Sequence, residues 1–106
     1  NLSITLCDPT AHAEMQVITA ACNYLQSRYL EHCTLYTTLE PCIMCASALF
    51  WAKIDCVVYG AEDKKQGMSC VQRKILHKKT RLKRGVLKYE CADLLTGFFK
   101  KKRKLN

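Results

Sequence analysis

Residues 56–61 read Cys-Val-Val-Tyr-Gly-Ala, six positions without one charged side chain. Successive side chains of a strand point to opposite faces, so a run apolar at every position needs cover on both. That is the pattern of a buried parallel strand, and parallel neighbours must be joined by crossovers. The flanking sequence supplies them. Thr34 to Glu40, TLYTTLE, is rich in β-branched and aromatic residues and reads as a second strand. Pro41 ends it and opens a helix over residues 42–54, CIMCASALFWAKI. Upstream, Asp8-Pro9-Thr10 is a helix-start signal, followed by Ala13, Val17, Ile18, Ala21, Cys22 and Leu25 on one stripe, ending near residues 27–29. Downstream, Gly67 interrupts residues 64–76, where a short helix follows, and Leu82 to Tyr89 reads as a third strand weakened by Gly85. From Glu90, the residues Cys91, Leu94, Leu95, Phe98 and Phe99 recur at helical spacing and run into a basic tail. This order predicts a layered α/β fold with about three mainly parallel strands and flanking helices. A length of 106 residues predicts a single domain over 1–106.

Charge is divided unevenly along the chain. Residues 1–62 carry two basic and six acidic side chains, whereas residues 63–106 carry fifteen and three. Such a basic half predicts a polyanionic partner, with nucleic acid the expected class and a solvated surface with a basic tail an equal expectation. No apolar run approaches the roughly 18 residues that span a bilayer, and the N-terminal NLSITLCDP lacks the pattern of a signal peptide, so no membrane association is expected. Eight cysteines in a short chain would suit a disulfide scaffold. Here most sit within apolar periodic segments, where free cysteine acts as a small hydrophobe, and a cytoplasmic, reducing location is expected.

Only Cys42 and Cys45 have ligand spacing. Near a helix start, free N–H groups and the positive end of the helix favour thiolates, and two thiolates three residues apart chelate Zn²⁺. A lone C-x-x-C also fits a redox pair or half of a structural site. His12, some thirty residues upstream, supplies a third ligand; three ligands leave one tetrahedral position open, the mark of a catalytic zinc. Glu14 would then stand beside activated water as a proton carrier. On an ideal helix residues 12 and 14 do not share a face, so the first turn must aim both inward.

Together these residues spell H-x-E…P-C-x-x-C, the signature of zinc nucleobase deaminases. The segments DPTAHAEM, TLYTTLEPCIMCASAL, VVYGAED and CADLLTGFFKKKR closely resemble the bacterial tRNA-specific adenosine deaminases, members of the cytidine and deoxycytidylate deaminase superfamily. The resemblance covers nearly the whole chain and is weakest over residues 65–83. It implies a cytidine-deaminase-like fold, one Zn²⁺ per chain on His12, Cys42 and Cys45, and Glu14 as catalytic proton shuttle. It further implies substrate contacts from Asn1, from the backbone of Ala13 and from Asp63. Phe98, Phe99, Lys100, Lys101, Lys102 and Arg103 match the family's helix against the anticodon stem-loop. For the two phenylalanines, ordinary core packing is an equal expectation.

The implied reaction is hydrolytic: water attacks C6 of the wobble adenine, Glu14 passes a proton to N1 and then to the departing amino group, and ammonia leaves inosine behind. Family members carry a helix and two strands ahead of the residue matching Asn1. Without them, the strand at 34–39 is expected to lie at an edge that favours pairing with another chain, and the family is usually homodimeric. A deaminase of cytosine in nucleotides or single-stranded nucleic acid shares the zinc chemistry, and a non-catalytic, zinc-stabilised nucleic-acid-binding domain shares the ligands.

Overall fold

The computed structural model describes the backbone of residues 1–105 and the side chains of residues 1–101. Seven elements follow one another: helix α1 (Ala13–Leu25), strand β1 (Thr34–Leu39), helix α2 (Ile43–Ala52), strand β2 (Cys56–Ala61), a 3-10 turn (Met68–Cys70), strand β3 (Arg81–Lys83) and helix α3 (Lys88–Leu105). The three strands form one parallel sheet in the order β1-β2-β3. Thr34 lies opposite Cys56 and Leu39 opposite Ala61, while Cys56 lies opposite Arg81 and Val58 opposite Lys83. The architecture is the layered α/β arrangement that the element order predicts.

All six residues of β2 are buried. Alternation sends Val57 and Tyr59 to one face, where they meet Leu35 of β1 and Ala46, Leu49 and Ala52 of α2 in the main core. Ile18 reaches this core from α1, and Leu30, Ile54, Met68 and Leu76 close it from the loops. The opposite face receives α3 at Gly60. A Cβ on Gly60 would lie 2.7 Å from the Cys91 Cβ and 2.9 Å from the Val86 carbonyl oxygen, so only hydrogen fits between strand and helix. We therefore expect Gly60→Ala to cost about 1–3 kcal/mol of unfolding free energy, the usual penalty for overpacking a core. Chemical denaturation at constant metal load measures it.

Local signals set several element ends differently from the sequence expectation. The first helix, expected to run to about residues 27–29, stops at Leu25 with Gln26 in the left-handed region. Asp8 does not cap α1: its carboxylate accepts the Thr10 N–H (2.9 Å) and hydroxyl (2.7 Å), closing a turn, and the extended residue His12 stands at the helix N-cap instead. The second helix begins one residue late, with Cys42 as an extended N-cap and Pro41 outside. It ends at Lys53 in the left-handed region, with N–H groups of Lys53 and Ile54 closing on the Phe50 and Leu49 carbonyls. The third strand spans Arg81–Lys83 only, because Gly85 at φ +76° turns the chain away from the sheet. The last helix accordingly starts at Lys88, two residues earlier than its apolar stripe suggests.

That stripe is mostly uncovered. Cys91 and Leu95 are half-buried, whereas Leu94, Phe98 and Phe99 are exposed. The eight cysteines are all free thiols: Cys45 and Cys56 are buried, Cys22, Cys33, Cys42 and Cys91 half-buried, and Cys7 and Cys70 exposed. Among the described residues no helix is long and apolar enough to cross a membrane.

A candidate metal centre at two helix starts

The N-termini of α1 and α2 meet beyond the ends of β1 and β2. Both are capped by extended residues, His12 at φ −67°, ψ 155° and Cys42 at φ −71°, ψ 173°, and neither makes a side-chain cap hydrogen bond. Their side chains are free to turn toward each other. His12 Nδ1 lies 3.6 Å from Cys42 Sγ and 3.7 Å from Cys45 Sγ, and the three ligand atoms lie within 4.8 Å of one another. Nitrogen at about 2.05 Å and sulfur at about 2.3 Å from a tetrahedral zinc would be separated by about 3.6 Å. The donor set and its spacing therefore fit that ion.

Cys45 is the third residue after the Cys42 cap and is fully buried. Its thiol is pushed well above the ordinary value of 9.0, first by burial, then by the adjacent Cys42 and by Glu14. Burial of the Cys45 sulfur thus opposes the pull of the helix start toward the thiolate. A bound cation would reverse that balance by stabilising the thiolate directly.

Glu14, in the first turn of α1, is the last and smallest of the influences that raise the Cys45 thiol. The helical geometry that seemed to separate residues 12 and 14 does not apply, because His12 is extended and only Glu14 belongs to the first turn. Glu14 is half-buried, as are His12 and Cys42.

The remaining sequence candidates lie at varied distances from this cluster. Asn1 is exposed, and its side-chain oxygen accepts the Ser3 N–H at 2.9 Å. Its neighbour Leu2 donates to the Ala11 carbonyl at 2.8 Å, which pins the first residues beside the His12 loop. Ala13 is exposed at the first position of α1. Asp63 caps its own turn: one carboxylate oxygen accepts the Lys65 and Gln66 N–H groups at 3.1 and 3.0 Å. Phe98 and Phe99 stack edge-to-face at 5.4 Å on the exposed part of α3, so core packing does not account for them. Lys100 and Lys101 are exposed beside them, while the side chains of Lys102 and Arg103 lie outside the described residues.

Sequence reasoning passed over Glu40. This carboxylate is only 2% exposed and accepts the Asp63 N–H and the Ser69 N–H at 3.1 and 2.8 Å. Its signal was present in the sequence: an acidic residue ending an apolar strand, immediately before the proline that precedes Cys42.

A family profile described as MafB19-like deaminase matches residues 5–103. The chain is 48% identical to the tRNA-specific adenosine deaminase of Aquifex aeolicus over 100 residues, covering 91% of this chain and 66% of that protein. It is 41% identical to the tRNA-specific adenosine deaminase of Buchnera aphidicola over 110 residues, covering 99% and 68%. The chain thus spans about two thirds of the length of these curated relatives. A solved structure from a study of A-to-I editing by tRNA deaminases at the wobble position superposes with a TM-score of 0.78 at 38% identity, covering 88% of this chain and 71% of that one.

Proposed function

Because the chain belongs to the MafB19-like deaminase family, we propose that it is a hydrolytic adenosine deaminase converting the wobble adenosine of a tRNA anticodon loop to inosine. The observation that carries this reading is the triangle of His12, Cys42 and Cys45 at zinc-ligand spacing, with Glu14 against it. The names and identities of the relatives support adenosine in tRNA as substrate over other bases and carriers.

His12, Cys42 and Cys45 would hold one Zn²⁺, which would supply a Lewis acid that makes water a nucleophile near neutral pH. The chain's own residues do the rest. Glu14 would take one proton from water and deliver it to N1 of the adenine, then take the second from the hydroxyl now on C6 and pass it to the amino group, which leaves as ammonia while C6 becomes a carbonyl. Both protons of the water are then accounted for, one on N1 of inosine and one on ammonia. Ala13, at the start of α1, presents backbone to the base. Asn1 and Asp63 are its further contacts, and both hang on loops that border the cluster. A loop nucleotide is already unpaired, so its base enters the site without the cost of opening a duplex.

Support for an RNA partner comes from the basic second half of the chain. Exposed Phe98 and Phe99 offer stacking surfaces and Lys100 and Lys101 offer phosphate contacts, with Lys102 and Arg103 continuing the basic run. Residues 1–106 belong to a single deaminase-like catalytic domain in this reading, with the cytoplasm as its location and a homodimer as its assembly. The open edge of β1 and the exposed Phe50 and Trp51 on α2 give self-association a physical basis.

The test is ammonia release from four substrates in parallel: an anticodon hairpin with wobble adenosine, the same hairpin with guanosine there, a cytosine oligonucleotide and free adenosine. Inosine formation confined to the first supports the proposal. Turnover of the cytosine oligonucleotide alone would replace it with a cytosine deaminase, and hairpin binding with no turnover on any substrate would replace it with a zinc-stabilised binding domain.

A further inference from the structure

Charged side chains are almost never fully buried without a partner, and Glu40 is buried with both carboxylate oxygens committed to backbone. One oxygen accepts the Asp63 N–H at 3.1 Å and the other the Ser69 N–H at 2.8 Å. The backbone N–H of Glu40 itself donates to the Ala61 carbonyl at 2.9 Å. One side chain therefore ties the end of β1 to both ends of the loop that follows β2.

The middle of that loop lies on a metal ligand. Gly67 and Cys42 form an antiparallel bridge, and the Met68 N–H donates to the Pro41 carbonyl at 2.9 Å. Gly67 packs directly on Glu40: a Cβ there would collide with a carboxylate oxygen and lie 2.6 Å from the carboxyl carbon. It would also lie 2.5 Å from the Asp63 carbonyl oxygen. The backbone of Gly67, at φ −66° and ψ 155°, is one that any residue adopts. The requirement for glycine is thus a matter of space against Glu40 and Asp63.

We propose that Glu40 is a positioning residue for the metal centre. Through the 63–69 loop it presses Gly67 and Met68 against Pro41 and Cys42, and so fixes the Cys42 sulfur relative to His12 and Cys45. It touches neither the metal nor the substrate. By holding the Asp63 N–H it also sets where that residue stands with respect to the site. This inference rests on reading His12, Cys42 and Cys45 as metal ligands, and not on which base or RNA is the substrate.

Groups that orient metal ligands from outside typically contribute 10–100-fold to metal affinity or activity. The experiment titrates the metal-free chain with Zn²⁺ against a chromophoric chelator, well below the melting temperature of each variant. Glu40→Gln puts an NH₂ group where one backbone N–H now donates, and Gly67→Ala displaces the carboxylate without altering it. Each single variant is expected to weaken zinc binding by about 10–100-fold with unchanged far-ultraviolet circular dichroism. The double variant is expected to lose no more than the worse single one, because both act on a single contact. Parent-like zinc affinity in folded Glu40→Gln overturns the proposal, as do losses that multiply in the double variant. If Glu40→Gln does not fold, Gly67→Ala decides alone, parent-like affinity in it being the overturning result. A parent chain that binds zinc but deaminates nothing removes the proposed function and leaves this inference to be decided by the affinities.

Discussion

Glu14→Gln is expected to reduce inosine formation on an anticodon hairpin by about 10³-fold, within the roughly 10²–10⁴-fold that general acid–base groups contribute, with zinc content unchanged. Glutamine keeps the size and hydrogen-bonding reach of the side chain and loses only the ability to carry a proton. In the proposed reaction the carboxylate carries two protons in turn, the first from water to N1 and the second from the C6 hydroxyl to the leaving nitrogen. Glu14 is the acidic residue of the first turn of α1 and is among the groups that raise the Cys45 thiol pKa. Because Gln preserves the shape of the site, the loss should fall on kcat with KM little changed. Steady-state kinetics on metal-quantified protein measures this. Activity near that of the parent would remove Glu14 as the shuttle.

The second large effect is loss of the metal. Zinc that binds only the folded chain stabilises it by linkage, about 4 kcal/mol when free zinc exceeds its Kd about 1,000-fold. For a domain near this size each kcal/mol is worth about 4–8 °C, so a strong chelator should lower the melting temperature by well over about 10 °C and abolish turnover. Cys45→Ala should reproduce both effects in the presence of zinc. The pH dependence carries a distinctive sign. In the metal-free chain the Cys45 pKa is raised above its ordinary value of 9.0, so the stability it contributes is present below that value and is lost as pH rises through the raised one. In the loaded chain zinc and protons compete for the same thiolates, so stability grows with pH over the neutral range and falls on acidification. Thermal melts with and without chelator across pH should therefore diverge as pH rises.

Much of this fold was legible in the sequence because the strands and helices carry strong, unconflicted patterns. The six apolar residues of β2 permit no other placement than the centre of a covered sheet, and α2 fills the interval between β1 and β2. Ligand spacing made Cys42 and Cys45 recognisable, and His12 joined them through the signature. What the sequence hid was decided by short-range competition or by tertiary contact. Asp8 carries a capping side chain, but Thr10 takes it for a turn, and the helix starts at His12 with no side-chain cap. That extended cap is also why residues 12 and 14 converge, which helical periodicity alone argues against. Leu94, Phe98 and Phe99 have core-like spacing yet stay exposed, whereas Cys91 of the same stripe packs on Gly60. Glu40 reads as an unremarkable strand end until the loop folds back and delivers two N–H groups to it.

X-ray absorption at the zinc edge on the loaded chain tests the account at its centre. It should find one zinc per chain with two sulfur neighbours at about 2.3 Å and two light-atom neighbours at about 2.0–2.1 Å, one from His12 and one from solvent. A third sulfur, a second imidazole, or a zinc that stays bound after His12→Ala with an unchanged shell would contradict it.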